Sequence, residues 1–321
     1  AALAALLAVL ILSIIILASV PPVSRDALTH HLAVPKLWIK NGGIYEIPDL
    51  PVSYYPMNLD LLYTIPLYFG NDIIPKYIHF AFALATAWLI FKYLYDKLNR
   101  LHAFAGALFF LTTPIVVKLS ITAYVDLGLI FFTTASLLYL FKWVEKDFSF
   151  RFLAVSAVSC GFALGTKFNG LISLFLLSII TPYLYLKHNE TYSKKETFRH
   201  QIKALSYGTL FVSIACIVYL PWMAKNYVWT GNPLYPLFSH HMETPHQDKG
   251  KTQTYVGKPS SSIEGNQNYA NMKSVHTGSH FVVRKLVYGE SWWETATIPI
   301  RIFFQGQDDS PKFFDGKNQN S

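Results

Sequence analysis

Seven apolar runs divide this chain, and they leave little choice of fold. A helix needs about 20 consecutive apolar residues to cross a bilayer. Runs near that length fall at 1–20, 73–95, 101–118, 125–143, 152–165, 170–186 and 204–222. In hydrocarbon each backbone polar group must be paired inside the protein, so such runs fold as helices. Only 14% of the 321 residues are charged, against roughly 25% in soluble domains. The expected class is an all-α polytopic membrane protein. The chain opens inside an apolar run without Met, and Lys317–Ser321 follow no closing run, so it reads as a fragment.

The fifth and sixth runs are separated by Gly165-Thr166-Lys167-Phe168-Asn169-Gly170. One over-long helix is the alternative, but two glycines around a charge suit a turn better. Loop charges support the hairpin and set an orientation. With the N-terminus inside, the inner loops carry Lys97, Arg100, Lys142, Lys146, Arg151, Lys187, Lys194, Lys195, Arg199 and Lys203. The short outer segments hold only Arg25, Lys36, Lys40, Lys76, Lys118 and Lys167. Cytoplasmic loops are the ones enriched in Lys and Arg. This retention accounts for much of the net charge of +8, which therefore need not imply nucleic acid. Two regions follow: a transmembrane module over 1–222, with a first outer loop at 21–72, and an outer region over 223–321. The stretch Gly257–Gly278, rich in Ser, Asn and Gly, is expected to be mobile.

That topology gathers Asp26, His30, His31, Tyr54, Tyr55, His79, Asp126 and Lys167 at one membrane face. The first outer loop is too rich in His, Pro, Tyr and charge for a plain connection. Ser24 reads as a helix N-cap with Asp26 in the first turn, and Pro35 should kink or end that helix. Asp26 and His30 are four apart on one face. Asp26 either complements the helix dipole or stays ionised as a general base. Asp126, opening the fourth run, is either a helix N-terminal acid or a second carboxylate facing Asp26. Lys167 sits after a run of 14 residues, roughly 21 Å of helix, against a hydrocarbon core of about 30 Å. A recessed ammonium needs an anion or water; a lipid phosphate would serve, and so would Asp126. Snorkelling to the interface is the bland alternative.

Other groups carry weaker signals. Cys160 and Cys216 lie in apolar runs and read as packing residues. His240, His241, Glu243 and His246 match no strong zinc template, and Asp308, Asp309 and Asp315 could meet a cation or sugar hydroxyls. No cofactor is fixed by a motif, and a divalent cation is left open. Asn189-Glu190-Thr191 is a glycosylation sequon on the inner side of this topology, so it is discounted. No nucleotide-phosphate loop or dinucleotide fingerprint is present.

Several stretches together resemble the lipid-carrier-dependent glycosyltransferases of the GT-C superfamily. The nearest likeness is to bacterial relatives of protein O-mannosyltransferases and of the lipid A aminoarabinose transferase. The stretches are Arg25-Asp26-Ala27-Leu28-Thr29-His30-His31-Leu32 with Pro35, Ser53-Tyr54-Tyr55-Pro56-Met57-Asn58, Tyr124-Val125-Asp126, Gly165–Gly170, Pro221-Trp222, Lys225-Asn226-Tyr227 and Gly231-Asn232-Pro233-Leu234-Tyr235-Pro236. The resemblance implies a GT-C-like helix bundle in a bacterial inner membrane, with its site facing outward. It implies a polyprenyl-phosphate sugar donor, a lipid, glycan or protein acceptor, surrounding membrane lipids, and inversion at the anomeric carbon. By position Asp26 matches the catalytic base, with Asp126 as a second catalytic carboxylate. Arg25, His30, His31, Tyr54, Tyr55, His79, Lys167, Lys225 and Asn226 fall to the substrate side, and Trp38 could stack on sugar. Two departures stand out: Ala27 follows Asp26 where O-mannosyltransferases carry an acidic pair, and Lys225 stands where Arg is common.

The chemistry suits that reading. A phosphate leaves as a stable anion, so one carboxylate suffices, whereas glycoside hydrolases usually need two. A transporter or flippase would be expected to show inverted repeats or broken helices near the midplane. A polymer ligase would use a lipid-diphosphate donor instead.

Overall fold

The computed structural model describes residues 2–189, 194–237 and 291–297. The chain divides into two compact units, Ala1–Pro245 and His246–Ser321. In the second, the described residues form one short helix, Trp292–Ala296, whose Glu294 carboxylate accepts from the backbone and side chain of Ser291.

In the first unit every apolar run becomes a helix or a helix pair. These are α1 (Ala2–Ala18), α4 (Ile74–Lys97), α5 (Arg100–Thr112) with α6 (Pro114–Ser120), α7 (Asp126–Glu145), α8 (Phe150–Thr166), α9 (Gly170–His188) and α10 (Lys194–Thr230). The first loop adds α2 (Ala33–Asn41) and α3 (Asn58–Tyr68). Helices α4, α7, α9 and the part of α10 from Phe198 to Thr230 are long and apolar enough to cross a membrane, and α5 with α6 makes a fifth candidate. Helices α1 and α8 are apolar at 17 residues each, at the short end of the spanning range. Across the bundle, α1 exposes Leu12 and Ile16, α5 Phe109, α9 Ile172 and Phe175, and α10 Ile217, apolar groups suited to lipid. The protein is an all-α polytopic membrane protein.

The structure departs from expectation in three places. The third run is not straight: α5 and α6 meet at 67°. Pro114 lacks an N–H and drives Thr113 out of helical geometry, to φ −57° and ψ 123°. The seventh helix outruns its apolar run, which ends at 222, and continues to Thr230, because Pro221 removes only one ladder bond and the turns beyond it are anchored on the first loop. Ser24 does not cap: its hydroxyl is hydrogen-bonded to that of Tyr124. The hairpin at Gly165–Gly170 is present, with α8 ending at Thr166 and α9 starting at Gly170. A Cβ on Gly170 would lie 2.6 Å from the backbone of Ala163 and Leu164, so only glycine permits this close crossing.

Helix α8 packs on α7, α9 and α10, and α4 packs on α5 and α7. One core joins α7–α10 through Trp143, Leu153, Cys160 and Phe211. A second joins α1, α4, α5 and α6 to α7 through Ile14, Phe80, Leu111 and Leu127. A third fastens the first loop, with Leu32, Leu59 and Tyr63 against Ala123 and Val125. Both cysteines are free thiols, Cys160 buried and Cys216 partly so.

Candidate active site

The first loop and the α8–α9 hairpin enclose a cavity of about 410 Å³, within the range of small-ligand sites. Asp26, His30 and His31 line it from one side, Tyr55 and Asp60 from another, and Thr166, Lys167, Phe168 and Asn169 from the hairpin.

The histidines owe their placement to Pro35. Proline has no N–H to offer the preceding turn, and the helix widens just before it. The Leu32 N–H reaches the carbonyl of Ala27, five residues back, at 2.8 Å. Residues Ala27–His31 thus form a π turn, a geometry frequent at functional sites. His30 and His31 stack with ring centroids 4.2 Å apart and planes 10° from parallel. The Tyr55 ring meets His30 edge-on at 5.8 Å and Phe168 at 5.5 Å. Burial, and then the neighbouring His31, lower the pKa of His30 to about 4 despite the opposing pull of Asp60 and Asp26. His30 is therefore a neutral ring at ordinary pH.

The Asp26 side chain is exposed, lines the cavity and makes no hydrogen bond or ion pair among the described residues. Across the same space, Lys167 Nζ lies 2.7 Å from Asp126 Oδ1, with the two side chains 38% and 26% exposed. Asp126 is the first residue of α7, and Val125 rather than Asp126 lines the cavity. Of the two readings open for Asp126, the helix-terminal acid is present, and it also holds the ammonium in place.

Sequence reasoning misses Asp60. Its side chain is wholly buried, and Oδ1 lies 2.7 Å from His31 Nδ1. The pair shares one hydrogen bond, in which the carboxylate oxygen accepts when His31 carries its proton on Nδ1. The available signal is one acid within Leu59-Asp60-Leu61-Leu62, an apolar helical stretch where a charge is costly unless it is used.

Several expected site residues lie outside the cavity. His79 is buried in the bundle; its Nε2 accepts the Leu127 N–H at 2.9 Å, and Nδ1 meets the carbonyls of Leu119 and Thr122. It fixes the start of α7 on α4. The Tyr54 hydroxyl donates to Glu46 at 2.6 Å, and burial and this bond push the phenol pKa up. Lys225 Nζ donates to the Ser53 carbonyl at 2.8 Å and lies 4.8 Å from the ring centroids of both Trp222 and Trp229. Asn226 Nδ2 donates to the Tyr235 carbonyl at 2.9 Å. Lys225 and Asn226 thus fasten the last helix to the first loop and to the chain beyond it. Trp38 is in the core, 2% exposed, and cannot stack on a sugar in the cavity. Arg25 is exposed, and its carbonyl accepts from Thr29.

Asn58 shows how the resembling stretches interlock. Its Oδ1 accepts from Trp222 Nε1 at 2.7 Å. Its amide occupies the space that a Cβ on Gly165 would need. Among the described residues, no group of three or more His, Cys, Asp or Glu is placed to hold a metal ion. His240, His241, Glu243, His246, Gly257–Gly278, Asp308, Asp309 and Asp315 lie outside the described residues, as does most of the sequon.

Among curated proteins and solved structures none matches the chain. Residues 68–222 match the family described as dolichyl-phosphate-mannose-protein mannosyltransferase. The matched span includes His79, Asp126, the glycine hairpin with Lys167, and Trp222; Asp26, His30, His31 and Asp60 precede it. Over those residues the chain is similar to a mannosyltransferase-like domain of the GT-C superfamily.

Proposed function

We propose that this protein transfers a glycosyl group from a polyprenyl-phosphate carrier to an acceptor hydroxyl at the outer face of a bacterial inner membrane, with inversion. One observation carries the reading: Asp26, without a partner among the described residues, shares a 410 Å³ cavity with the Asp126-held Lys167. The family's own description, with its lipid-phosphate sugar donor, supports it.

The acceptor oxygen attacks the anomeric carbon from the side opposite the phosphate. Its proton passes to the Asp26 carboxylate, while the carbon–oxygen bond to phosphate breaks with both electrons staying on oxygen. The carrier leaves as a phosphate monoester and needs no proton. Lys167 meets the growing phosphate charge. Asp126 acts through Lys167 as a positioning residue. His30, neutral, and Tyr55 offer flat faces for a sugar ring. The transmembrane module over 1–222 supplies this chemistry.

The test is sugar transfer by the purified chain in lipid, comparing carrier monophosphate and diphosphate donors. Transfer from the monophosphate and loss of turnover in Asp26→Asn are expected. Transfer only from the diphosphate would make the protein a polymer-ligase type enzyme. Near-normal turnover in Asp26→Asn would remove that residue as base.

A further inference from the structure

One residue lining the cavity carries a buried polar atom without a partner. Asp60 is 0% exposed, and Oδ1 is taken by His31 at 2.7 Å. Its Oδ2 is buried with no hydrogen-bond partner among the described residues. A buried carboxylate oxygen left without a donor is costly, so such atoms are normally satisfied. The nearby donors are committed elsewhere. The hydroxyl of Tyr63, on the same helix, donates to the Tyr124 carbonyl. Lys167 is drawn to Asp126 at 2.7 Å. Yet Asp60 lines the cavity, and His31, bonded to Oδ1, keeps the carboxylate from turning freely.

We infer that Asp60 Oδ2 is a sugar subsite: it accepts a hydrogen bond from an O–H or N–H group of the glycosyl unit on the carrier. The inference rests on the polyprenyl-phosphate-sugar reading above and adds a residue that chooses the sugar. A carboxylate accepts from a hydroxyl of a neutral sugar or from the ammonium of an amino sugar. It disfavours an acidic sugar, whose like charge would sit beside it. Sites built to pair with a substrate donor reject analogues lacking it far more strongly than apolar pockets reject a missing methylene.

The experiment measures equilibrium binding to the full chain in nanodiscs. The probes are bare polyprenyl phosphate, polyprenyl phosphate mannose, and polyprenyl phosphate carrying 4-amino-4-deoxyarabinose. The wild type should bind at least one glycosylated carrier more tightly than the bare one. Asp60→Asn, which keeps an acceptor for His31, should weaken that carrier about tenfold or more and leave the bare carrier unchanged. A preference for mannose marks a hydroxyl at Oδ2, and a preference for the amino sugar marks an ammonium. Equal losses for bare and glycosylated carriers would make Asp60 merely structural, and no loss would remove it from the site. If Asp60→Asn does not fold, the wild type is titrated with singly deoxygenated sugars on the carrier. One sensitive ring position supports the subsite, and none overturns it. If the wild type binds bare carrier but gains nothing from any sugar, the subsite falls while the lipid-phosphate reading stands. If it binds no carrier, that reading itself falls and takes the subsite with it.

Discussion

The two ends of the α4–α7 pair treat charge in opposite ways. These helices run parallel: His79 near the start of α4 bonds the start of α7, and Lys97 at the end of α4 meets Glu145 at the end of α7 at 2.6 Å. At the latter end the ion pairs are open to solvent, with Lys97 and Glu145 43% and 38% exposed and Lys92 and Asp96 53% and 43%. Such pairs contribute little to stability because water screens them. At the cavity end the three carboxylates sit in three different settings. Asp60 is fully buried against His31, Asp126 holds Lys167, and Asp26 lines the cavity unpaired. The contrast teaches that local charge content does not locate a candidate site. What marks it is charge kept where it is costly, around a space that could hold a ligand.

The largest effect should come from Asp26→Asn. Loss of a general base typically costs 10²–10⁴-fold in rate, so turnover in a carrier-donor assay should fall by about a hundredfold or more with the same thermal midpoint. A Glu145→Gln variant at the opposite end should transfer sugar at the wild-type rate. If both variants lost activity alike, the two ends would not differ as described. Lys167→Ala should weaken binding of bare polyprenyl phosphate by about tenfold or more, the order of one charge-assisted hydrogen bond. Asp126→Asn should produce a smaller loss in the same binding assay, because the ammonium remains but is no longer held. Unchanged binding in Lys167→Ala would detach the hairpin from the phosphate.

Acid should weaken the cavity end next. The pKa of His30 is about 4 in the folded protein, below its ordinary 6.5. As pH falls, the unfolded chain therefore takes up the proton first. The stability is whole above pH 6.5 and is lost as pH falls toward 4, by about 2 kcal/mol between pH 7 and 5. Thermal midpoints in detergent across that window should drop for the wild type and less for His30→Gln. Equal slopes would mean that His30 is not the group responsible. The smallest effect belongs to Lys92→Gln. Its exposed pair with Asp96, four residues along α4, contributes about 0.3–0.5 kcal/mol, a change near the limit of a thermal melt.

Much of the scaffold is legible in the residues. The glycines at 165 and 170 around Lys167 announce a hairpin, and the structure turns there because the backbone of Ala163 and Leu164 lies where a side chain on Gly170 would go. Pro35 announces a disturbed helix, though not that a π turn would bring two imidazoles face to face. The end of the apolar run at 222 does not mark the helix end, because a helix held by Trp222 and Lys225 against the first loop tolerates the N–H that Pro221 lacks. His79 and Lys225 look like substrate groups in sequence because they are polar residues at span ends. Their neighbours in space are backbone carbonyls and aromatic rings, and these make them fasteners.

The apolar run lengths, their Gly and Pro breaks and the bias of Lys and Arg by themselves determined a polytopic helical protein with an active-looking first loop. These are local properties, set by the rise of a helix and the cost of unpaired backbone in lipid. Only the tertiary structure decided which acid pairs with what. Asp60 finds His31 across 29 residues and Lys167 finds Asp126 across 41. Such pairings depend on which helix faces pack together, and no local period encodes that. The same packing leaves Asp26 unpaired, and it leaves Asp60 with one oxygen still waiting for a donor.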